Sequence, residues 1–243
     1  KNMMKQSQHK PYGIYERYIK RVLDCGLSLV GMIILSPVIC VTALLVRINL
    51  GSPVIFQQER PGCNEKIFKL KKFRSMLEPQ TRDGRKITDE ERTRLIASGI
   101  EVLSDEERLT KFGRWLRATS LDELPELWNI FIGDMSIVGP RPLSTVYLPY
   151  YNTYEKQRHD VRPGLTGAAQ VNGRNAVSWQ ERFKYDVEYV NHIIFINDLK
   201  ILLKTVAVVL KRSDIRQGRE IPESFHIIRQ AQWKEEKENK LGE

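Results

Sequence analysis

The chain has little of what builds a metal centre or a disulfide framework. Only three of its 243 residues are cysteine and four are histidine. The histidines are scattered and form neither an HExxH pair nor a cysteine–histidine cluster. The three cysteines lack metal-binding spacing and two of them lie in an apolar segment, which indicates a reducing compartment. We expect no zinc site and no disulfide scaffold.

Two common phosphate-binding motifs are also missing. The sequence contains no GxxxxGK[ST] and no GxGxxG, which excludes a P-loop and a dinucleotide-binding fingerprint. Acidic residues are outnumbered, 30 against 39 Lys and Arg, for a formal net charge of +9. A basic excess implies an acidic partner, which can be nucleic acid, anionic lipid or a phosphorylated substrate. The length suits one domain of ordinary size.

A long uncharged run lies near the N-terminus. Residues 27–46 carry no charge, which is about the ~20 residues that a membrane span needs. Pro37 sits in the middle of the run and breaks a helix there, and Ser36 can satisfy a carbonyl that the break frees. Basic residues flank both ends, so the positive-inside rule places both ends on the cytoplasmic side. These features favour a re-entrant helix bent at Ser36-Pro37; a kinked span and a buried soluble helix are the alternatives.

An acidic pair follows a short apolar and basic segment. Ser120 and Glu123 match the S-x-x-E capping box, which predicts that a helix begins here. A carboxylate in the first turn of a helix is stabilised as the anion. Asp122 and Glu123 therefore suit a nucleophile or a metal ligand, although the same pair also occurs as plain decoration of a helix start.

Basic residues recur at predicted strand ends and turns. Two strand-like stretches, 53–57 and 67–73, predict a β-hairpin with a loop longer than two residues. The second runs into Lys72 and Arg74, which predicts either a solvated strand end or a contact with a phosphate or a lipid headgroup. Arg141 stands between two prolines, whose stiff backbone predicts either a fixed fork for phosphate or a nucleobase, or an ordinary proline-rich turn.

The segment 198–212 is apolar with a lysine face. That pattern is typical of a helix lying on a membrane surface, and a core helix is the alternative. The residues after 212 are polar, and we expect a mobile tail. Together these patterns predict an α+β fold that is mostly α: a re-entrant helix–break–helix, a small β-hairpin, catalytic helices and surface amphipathic helices.

Several motifs in one order resemble the bacterial sugar transferases, the monotopic phosphoglycosyl transferases. The resemblance covers residues 17–212 and is to the small form, a re-entrant helix with a catalytic domain. One departure is Glu65, where the family often has a second glycine in the hairpin turn. The motifs are Ser36-Pro37, K-F-R-S-M at 72–76, R-x-x-R-x-x-S-L-D-E-L-P at 114–125, G-D-M-S-I-V-G-P-R-P at 133–142, P-G-L-T-G at 163–167 and Q-V-N-G-R-N at 170–175.

The resemblance implies a reaction. Such enzymes transfer a sugar-1-phosphate from a UDP-sugar to a polyprenyl (undecaprenyl) phosphate and release UMP. Asp122 would be the nucleophile that forms an aspartyl-phosphosugar intermediate, and also a Mg²⁺ ligand, with Glu123 positioning it. The implied substrate-binding residues are Lys72, Arg117 and Arg174 around the phosphates, with Arg74 beside Lys72, the segment Pro140, Arg141 and Pro142 facing the nucleotide, and Asp186 either on the metal side or behind a residue that contacts the site.

The resemblance also implies an organisation and partners. We expect a basic juxtamembrane segment at 1–21, a re-entrant helix at 22–48, a catalytic domain at 49–212 and a polar tail at 213–243. The enzyme would act on the cytoplasmic face of the inner membrane, in contact with membrane lipid and without nucleic acid. A homodimer and the identity of the sugar stay open.

Two other functions are alternatives. A membrane-tethered basic binding or scaffold protein would explain the charge and the amphipathic segment, but not the acidic pair among arginines. A glycosidase places its two carboxylates on either side of a glycosidic bond, ~5 Å or more apart. Neighbouring residues at a helix start do not straddle a sugar ring, so the transferase is the preferred hypothesis.

Overall fold

The computed structural model describes residues 9–11, 13–88, 91–92, 94–95, 98–172, 177–211 and 225–241. It is mostly helical with two small pairs of strands, which agrees with the predicted α+β class. The elements in chain order are α1 (Lys20–Ile34), α2 (Ser36–Leu50), β1 (Ile55–Pro61), β2 (Ile67–Phe73), α3 (Asp105–Arg108), α4 (Lys111–Ala118), α5 (Glu126–Ile132), β3 (Ser136–Val138), α6 (Thr153–Lys156), β4 (Gly164–Thr166), α7 (Ala168–Val171), α8 (Trp179–Asn191), α9 (Phe195–Lys211) and α10 (Phe225–Leu241).

The chain divides into two compact units. The first unit comprises residues 1–32, 58–70 and 126–243, and the second comprises residues 33–57 and 71–125. Each unit is built from segments that are distant in sequence. The segment boundaries predicted from composition, at 21, 48 and 212, concern membrane and tail segments and stay predictions.

The apolar N-terminal run is a broken helix, as Ser36-Pro37 predicts. Pro37 has no N–H to donate to the carbonyl of Ile33, four residues earlier. Ser36 Oγ donates to that carbonyl instead, at 2.8 Å. Among the described residues no single helix is long and apolar enough to cross a membrane. The helix pair Tyr15–Ile34 and Ser36–Leu50 has the required length and apolar composition only when the two helices are taken together, and the pair is bent by 65°. The bend is therefore observed, and the membrane topology stays a prediction.

The hairpin of β1 and β2 confirms the predicted long loop. Its turn places Asn64 and Glu65 at φ values of 53° and 60°, in the left-handed region. That conformation costs a non-glycine residue roughly 1–2 kcal/mol, which explains why a glycine suits the position of Glu65. The turn is closed by a hydrogen bond from Gly62 N to Lys66 O at 2.9 Å.

A short parallel pair of strands organises the first unit. Ser136 is opposite Gly164, and Val138 is opposite Thr166. The sequence predicted β3 but only a glycine-rich turn for β4. A Cβ on Gly164 would lie 2.1 Å from the backbone nitrogen of Gly139, so the close approach of the two strands requires a glycine at residue 164.

Helix α9 has the core-facing side that one of its two predicted alternatives requires, and its contact with a membrane surface stays a prediction. On one face Asp198 is buried and accepts hydrogen bonds from Tyr15 Oη at 2.7 Å, Lys20 Nζ at 2.6 Å and Tyr189 Oη at 2.8 Å. The opposite face leaves large apolar side chains exposed, among them Leu203 and Val206. A core-facing side and an exposed apolar side therefore occur on one helix.

The expectation of a mobile C-terminal tail is wrong for residues 225–241, which form α10. Phe225 is buried in a cluster with Leu143, Tyr151 and Phe183. Trp233 stacks on Tyr150 with 5.6 Å between ring centroids. Two aromatic side chains thus anchor this helix.

His159 makes stability depend on pH. His159 is 4% exposed, and both of its ring nitrogens are buried. Burial, reinforced by the charge of Arg158, lowers the pKa of His159 to about 3. The carboxylate of Glu65 lies 4.0 Å from Nδ1 and does not offset this. The folded protein therefore holds a neutral ring.

We predict that this histidine destabilises the fold as the pH falls below about 6.5, which is the pKa of histidine in the unfolded chain. The unfolded chain takes up the proton and the folded chain does not, so His159 lowers the free energy of unfolding by about 2 kcal/mol between pH 7 and pH 5. His159→Phe should flatten this dependence. Urea unfolding in detergent at both pH values measures it, and equal losses in variant and wild type would contradict the prediction.

Candidate active site

The acidic pair lies in a short 3-10 turn, Leu121–Glu123, of the second unit. The turn is anchored by Leu121 and Leu124, which pack on the buried side chains of Val46, Phe73 and Leu116. These anchors flank Asp122 and Glu123. Asp122 is 8% exposed, so the packing holds its carboxylate in a mostly dehydrated position.

The predicted capping box does not form. Ser120 adopts a left-handed conformation at φ 56° and its side chain makes no cap hydrogen bond. Its N–H donates to Arg117 O at 3.2 Å, so Ser120 ends the preceding helix, α4, rather than starting the next one. Helix α5 begins only at Glu126. The acidic pair therefore belongs to a turn of its own.

Glu123 pairs with a lysine from the neighbouring strand. Lys72 Nζ donates to Glu123 Oε1 at 2.8 Å, and both side chains are about one-fifth exposed, at 20% and 21%. Phe73 beside it is buried, and successive strand residues point to opposite faces, so burying Phe73 directs Lys72 the other way. The pair compensates the charge of Glu123 next to Asp122.

Arg117 is fixed at one end and exposed overall. Its Nε donates to Ser75 Oγ at 2.8 Å. Helix α4 can approach Ser75 because residue 113 is glycine, where a Cβ would lie 1.8 Å from Ser75 O. The guanidinium is therefore held by a close contact between helix and backbone within the second unit.

Arg74 is placed differently from the prediction. It is buried and donates to the carbonyls of Ser52, at 3.1 Å, and Leu50. Burial lowers the pKa of its guanidinium, although the carboxylate of Glu78, 3.5 Å away, opposes this. Arg74 thus ties the end of α2 to the end of β2, which argues against its expected contact with a substrate.

In the first unit, hydrogen bonds to backbone carbonyls hold the segment Pro140–Pro142 in place. Arg158 Nη2 donates to Arg141 O at 2.7 Å. Arg158 also donates to Asp186 Oδ2, at 3.0 Å from Nε and 2.8 Å from Nη2. Gly164 N donates to Pro140 O at 3.0 Å. The backbone that carries Arg141 is therefore fixed by two hydrogen bonds.

Asp186 acts through Arg158. Asp186 is 2% exposed, and burial raises the pKa of its carboxyl while the charge and hydrogen bonds of Arg158 oppose the rise. Burial alone would lower the pKa of Arg158, but Asp186 more than compensates and the pKa is raised. A carboxylate enclosed in this pair is poorly placed to meet a metal or substrate directly; of the two roles expected for Asp186, the one behind a contacting residue fits this position.

Comparison with known proteins decides the family. The sequence model of the bacterial sugar transferases matches residues 15–212. The chain belongs to this family. The uncharacterized sugar transferase EpsL of Bacillus subtilis is 44% identical over 199 residues, which cover 82% of this chain and 91% of the relative.

Two relatives of this sugar transferase have more specific names. The UDP-glucose:undecaprenyl-phosphate glucose-1-phosphate transferase of Escherichia coli is 36% identical over 204 residues, covering 81% of this chain and 41% of the relative. The undecaprenyl-phosphate galactose phosphotransferase of Salmonella typhimurium is 38% identical over 197 residues, with coverages of 81% and 41%. The chain thus spans about two-fifths of these two proteins. The expectation of a transferase is confirmed, and a binding or scaffold protein is not favoured.

The predicted site residues of the sugar transferase separate into groups. Asp122, Glu123, Lys72 and Arg117 are sequence neighbours of residues in one core of the second unit, and Lys72 contacts Glu123, whereas Arg141 and its prolines are in the first unit. Arg174 lies outside the described residues. Within the described chain no group of three or more His, Cys, Asp or Glu side chains could hold a metal ion.

Sequence reasoning missed two positioning residues. Ser75 was quoted only as part of a motif, although its place directly after Arg74 puts it at the strand end. Arg158 stands in a polar stretch with no pattern that marks it as buried. Only its partner Asp186, at an inward-facing position of α8, gives a signal that a buried cation is needed.

We predict that Asp186→Asn destabilises the sugar transferase by about 3–5 kcal/mol, since it leaves Arg158 as a buried charge without its anion. Glu188→Gln is the matched control on the same helix, because Glu188 is exposed and lies 3.9 Å from Lys184; that change should stay within about 0.5 kcal/mol. Chemical unfolding in detergent compares them. Equal, small effects of both changes would show that the buried pair does not hold the segment.

Proposed function

We propose that this sugar transferase moves a sugar-1-phosphate from a UDP-sugar to undecaprenyl phosphate and releases UMP. The named activities of the Escherichia coli and Salmonella relatives support the general reaction. The observation that carries the proposal is the group of Asp122, Glu123, Lys72 and Arg117 on one core. It combines a dehydrated carboxylate with two cations held at fixed positions.

The proposed mechanism has two transfers at one phosphorus. An oxygen of the Asp122 carboxylate bonds to the phosphorus next to the sugar while the bond from that phosphorus to the UMP oxygen breaks. An oxygen of the lipid phosphate then bonds to the same phosphorus, and the bond to Asp122 breaks, restoring the carboxylate. Two easier steps replace one difficult transfer.

The cations have a defined task in this reaction. Phosphoryl transfer depends mainly on positioning and on neutralising phosphate oxygens. Because the hydrogen bond to Ser75 already fixes the Arg117 side chain, its guanidinium loses little further conformational freedom when it contacts a phosphate. Lys72, paired with Glu123, keeps the second carboxylate from adding uncompensated negative charge beside Asp122. Glu123 is therefore proposed as a positioning group for the site.

The donor set of the acidic turn suits Mg²⁺. This ion is bound by one or two carboxylates together with substrate phosphates rather than by a full cage of protein ligands. Asp122 would hold it, with Glu123 adjacent. When bound, the ion would neutralise charge on the diphosphate.

We further propose that the enzyme lies on the cytoplasmic face of the inner membrane as a monotopic protein. The bent helix pair supports this, because its apolar side chains are exposed along both arms; examples are Val22, Leu27, Ile33, Ile34, Val41, Leu44 and Ile48. The exposed apolar face of α9 adds a second surface of the same kind. Such an attachment would keep the chemistry at the level of the lipid phosphate.

We predict that Asp122→Asn lowers UMP release by at least about 10³-fold, since the amide cannot form the proposed bond. Glu123→Gln should retain more activity, because it removes only the partner of Lys72. Glu101→Gln, at an exposed carboxylate of the second unit, is the control and should leave the rate unchanged. The assay combines a UDP-sugar, undecaprenyl phosphate and Mg²⁺, with UDP-Glc, UDP-Gal, UDP-GlcNAc and UDP-GalNAc as donors.

Intact-mass spectrometry provides the second measurement. Wild-type enzyme incubated with the donor alone should gain the mass of a phosphosugar, and Asp122→Asn should not. Normal turnover by Asp122→Asn, or turnover by the wild type without any adduct, would rule out the covalent route.

The proposed topology predicts the labelling of two positions. Arg17 and Asn49 are polar, exposed residues near opposite ends of the bent pair. In a protein whose native cysteines are replaced, Arg17→Cys and Asn49→Cys should both react with an impermeant maleimide only from the cytoplasmic side. Labelling of the two positions from opposite sides would instead establish a spanning helix.

A further inference from the structure

Three charged side chains lie close together near the start of α1, a helix that is otherwise mostly apolar. Lys20, Arg21 and Asp24 fall within about 100° of one another around the helix axis. Asp24 is buried, and Lys20 and Arg21 are half-buried. The apolar side chains Val22 and Ile33 lie elsewhere around the helix and are 70% and 64% exposed. The charged face of α1 is therefore turned toward the protein.

Arg21 binds the end of helix α5. Its Nη1 donates to Ile130 O at 2.6 Å, and its Nη2 donates to Phe131 O at 2.7 Å. Carbonyls in the last turn of a helix lack partners within that helix, and the helix dipole favours a cation beside them. A Cβ on Gly133, the residue that follows α5, would lie 3.2 Å from Arg21 Nη2. Glycine at this position thus leaves room for the guanidinium at the helix end.

Asp24 binds the edge of strand β3 that faces away from β4. Its Oδ1 accepts a hydrogen bond from Ile137 N at 3.0 Å. The neighbouring N–H, that of Ser136, donates to Pro163 O at 2.8 Å, on the side where β3 pairs with β4. Successive N–H groups of a strand point to opposite edges, so the Ile137 N–H requires an acceptor from outside this strand pair. Asp24 supplies that acceptor.

Lys20 ties the same part of α1 to a third element. Its Nζ lies 2.6 Å from Asp198 Oδ2 of α9. The partners of the three charged side chains thus lie on α5, β3 and α9, all of which belong to the first unit together with α1. Apolar contacts would attach a helix without the cost of dehydrating charges. What the charged groups add is a fixed direction and distance for each contact.

The contacts of Arg21 and Asp24 are made to backbone atoms, so they act on the course of the chain itself. Strand β3 ends at Val138, and the segment Pro140–Pro142 begins two residues later. A displacement of about 1 Å at residues far from the chemistry can lower the rate of an enzyme by about 10²-fold. A change in either contact is therefore expected to affect the reaction even where the fold survives.

We propose that Arg21 and Asp24 are positioning residues of the transfer reaction, which fix α5 and β3 to the first arm of the bent helix pair. This inference rests on the proposed function, and it gives a task to two residues that the motifs and the family comparison leave without one. Neither residue touches a substrate. Arg21 acts through the carbonyls of α5, and Asp24 acts through the N–H of Ile137, for which it supplies an acceptor at a defined distance.

The first test compares substitutions of Asp24 in the full-length protein in lipid nanodiscs. Asp24→Asn keeps an acceptor oxygen at the same distance and loses the charge, whereas Asp24→Glu keeps the charge and moves the carboxylate by one methylene group. In the UMP-release assay Asp24→Asn should retain most of the wild-type kcat, and Asp24→Glu should lower it about tenfold or more. A role of the charge alone predicts the opposite order, and that order would overturn the proposal.

A further variant guards against misfolding. Asp24→Leu has nearly the shape of the native side chain but offers no acceptor, so its kcat should fall as in Asp24→Glu. Thermal unfolding verifies that each variant is folded at the assay temperature, and Asp24→Leu decides the result where Asp24→Glu does not fold. Wild-type kcat in Asp24→Leu would contradict the need for an acceptor.

Arg21 is tested against a residue of the same arm. Arg21→Lys keeps the charge and loses the fork, and Arg21→Gln loses both, so kcat should fall from the wild type to Lys and again to Gln. Arg17→Gln removes one positive charge at an exposed residue of this arm and should leave kcat unchanged. Equal kcat in Arg21→Gln and Arg17→Gln would overturn the role of Arg21.

Vesicle flotation separates positioning from anchoring. Every variant of Arg21 and Asp24 should float with the lipid as the wild type does, because the exposed apolar side chains of α1 are unchanged. Loss of activity that always accompanies loss of flotation would show that these residues anchor the protein, and it would overturn the proposal.

Hydrogen exchange gives a readout that does not depend on the reaction. Amides of residues 136–142 should exchange faster in Asp24→Glu than in the wild type, and Asp24→Asn should match the wild type. This pattern in a protein that transfers no sugar-1-phosphate would refute the proposed reaction and keep the contact between α1 and β3. An active transferase in which Asp24→Asn and Asp24→Glu have equal kcat and equal exchange would refute only the positioning.

Discussion

The burial of Leu121 and Leu124 against Val46, Phe73 and Leu116 is the constraint on which the acidic turn depends. Three of these apolar residues have a site residue as a sequence neighbour: Phe73 follows Lys72, Leu116 precedes Arg117, and Leu121 precedes Asp122. Burying an apolar side chain of this size stabilises by about 1.5–3 kcal/mol. A partly exposed ion pair such as Lys72–Glu123 contributes at most about 1 kcal/mol. Hydrophobic packing therefore sets the geometry, and the ion pair adjusts it.

In the first unit, the main constraint acts on the backbone segment that carries Arg141, which is held rigid. Proline on both sides of Arg141 restricts the backbone, and the carbonyls of Pro140 and Arg141 are bound by Gly164 and Arg158. A buried ion pair such as Arg158–Asp186 often adds little net stability, because both groups lose their hydration. Its effect is on geometry, since removing either partner leaves an uncompensated charge. The aromatic cluster around Phe225 encloses the same region with C-terminal residues beyond the family match.

Much of the fold and of the candidate site could be predicted from local chemistry. The hairpin with its long turn, strand β3 and the break after α1 follow from residues close together in sequence. The capping box predicted at Ser120 does not form, because Ser120 ends helix α4 and therefore cannot also begin helix α5. Arg74 and Asp186 were identified as important residues, but their roles follow from burial by distant segments. The anchoring of α10 depends on Phe225 and Trp233, two aromatic residues in a polar stretch.

The sequence alone determined the family, the acidic pair and the helix break, because each rests on residue types at fixed spacing. Pro37 lacks an N–H wherever the chain is placed, so the break at Ser36-Pro37 requires no tertiary information. Only the tertiary structure decided that Glu123 binds Lys72, that Arg74 binds the end of α2 and that Asp186 holds Arg158. The physical reason is that the partner of a charged side chain depends on which donors burial brings within about 3 Å, and residues 51 or 28 positions apart meet only in the folded chain.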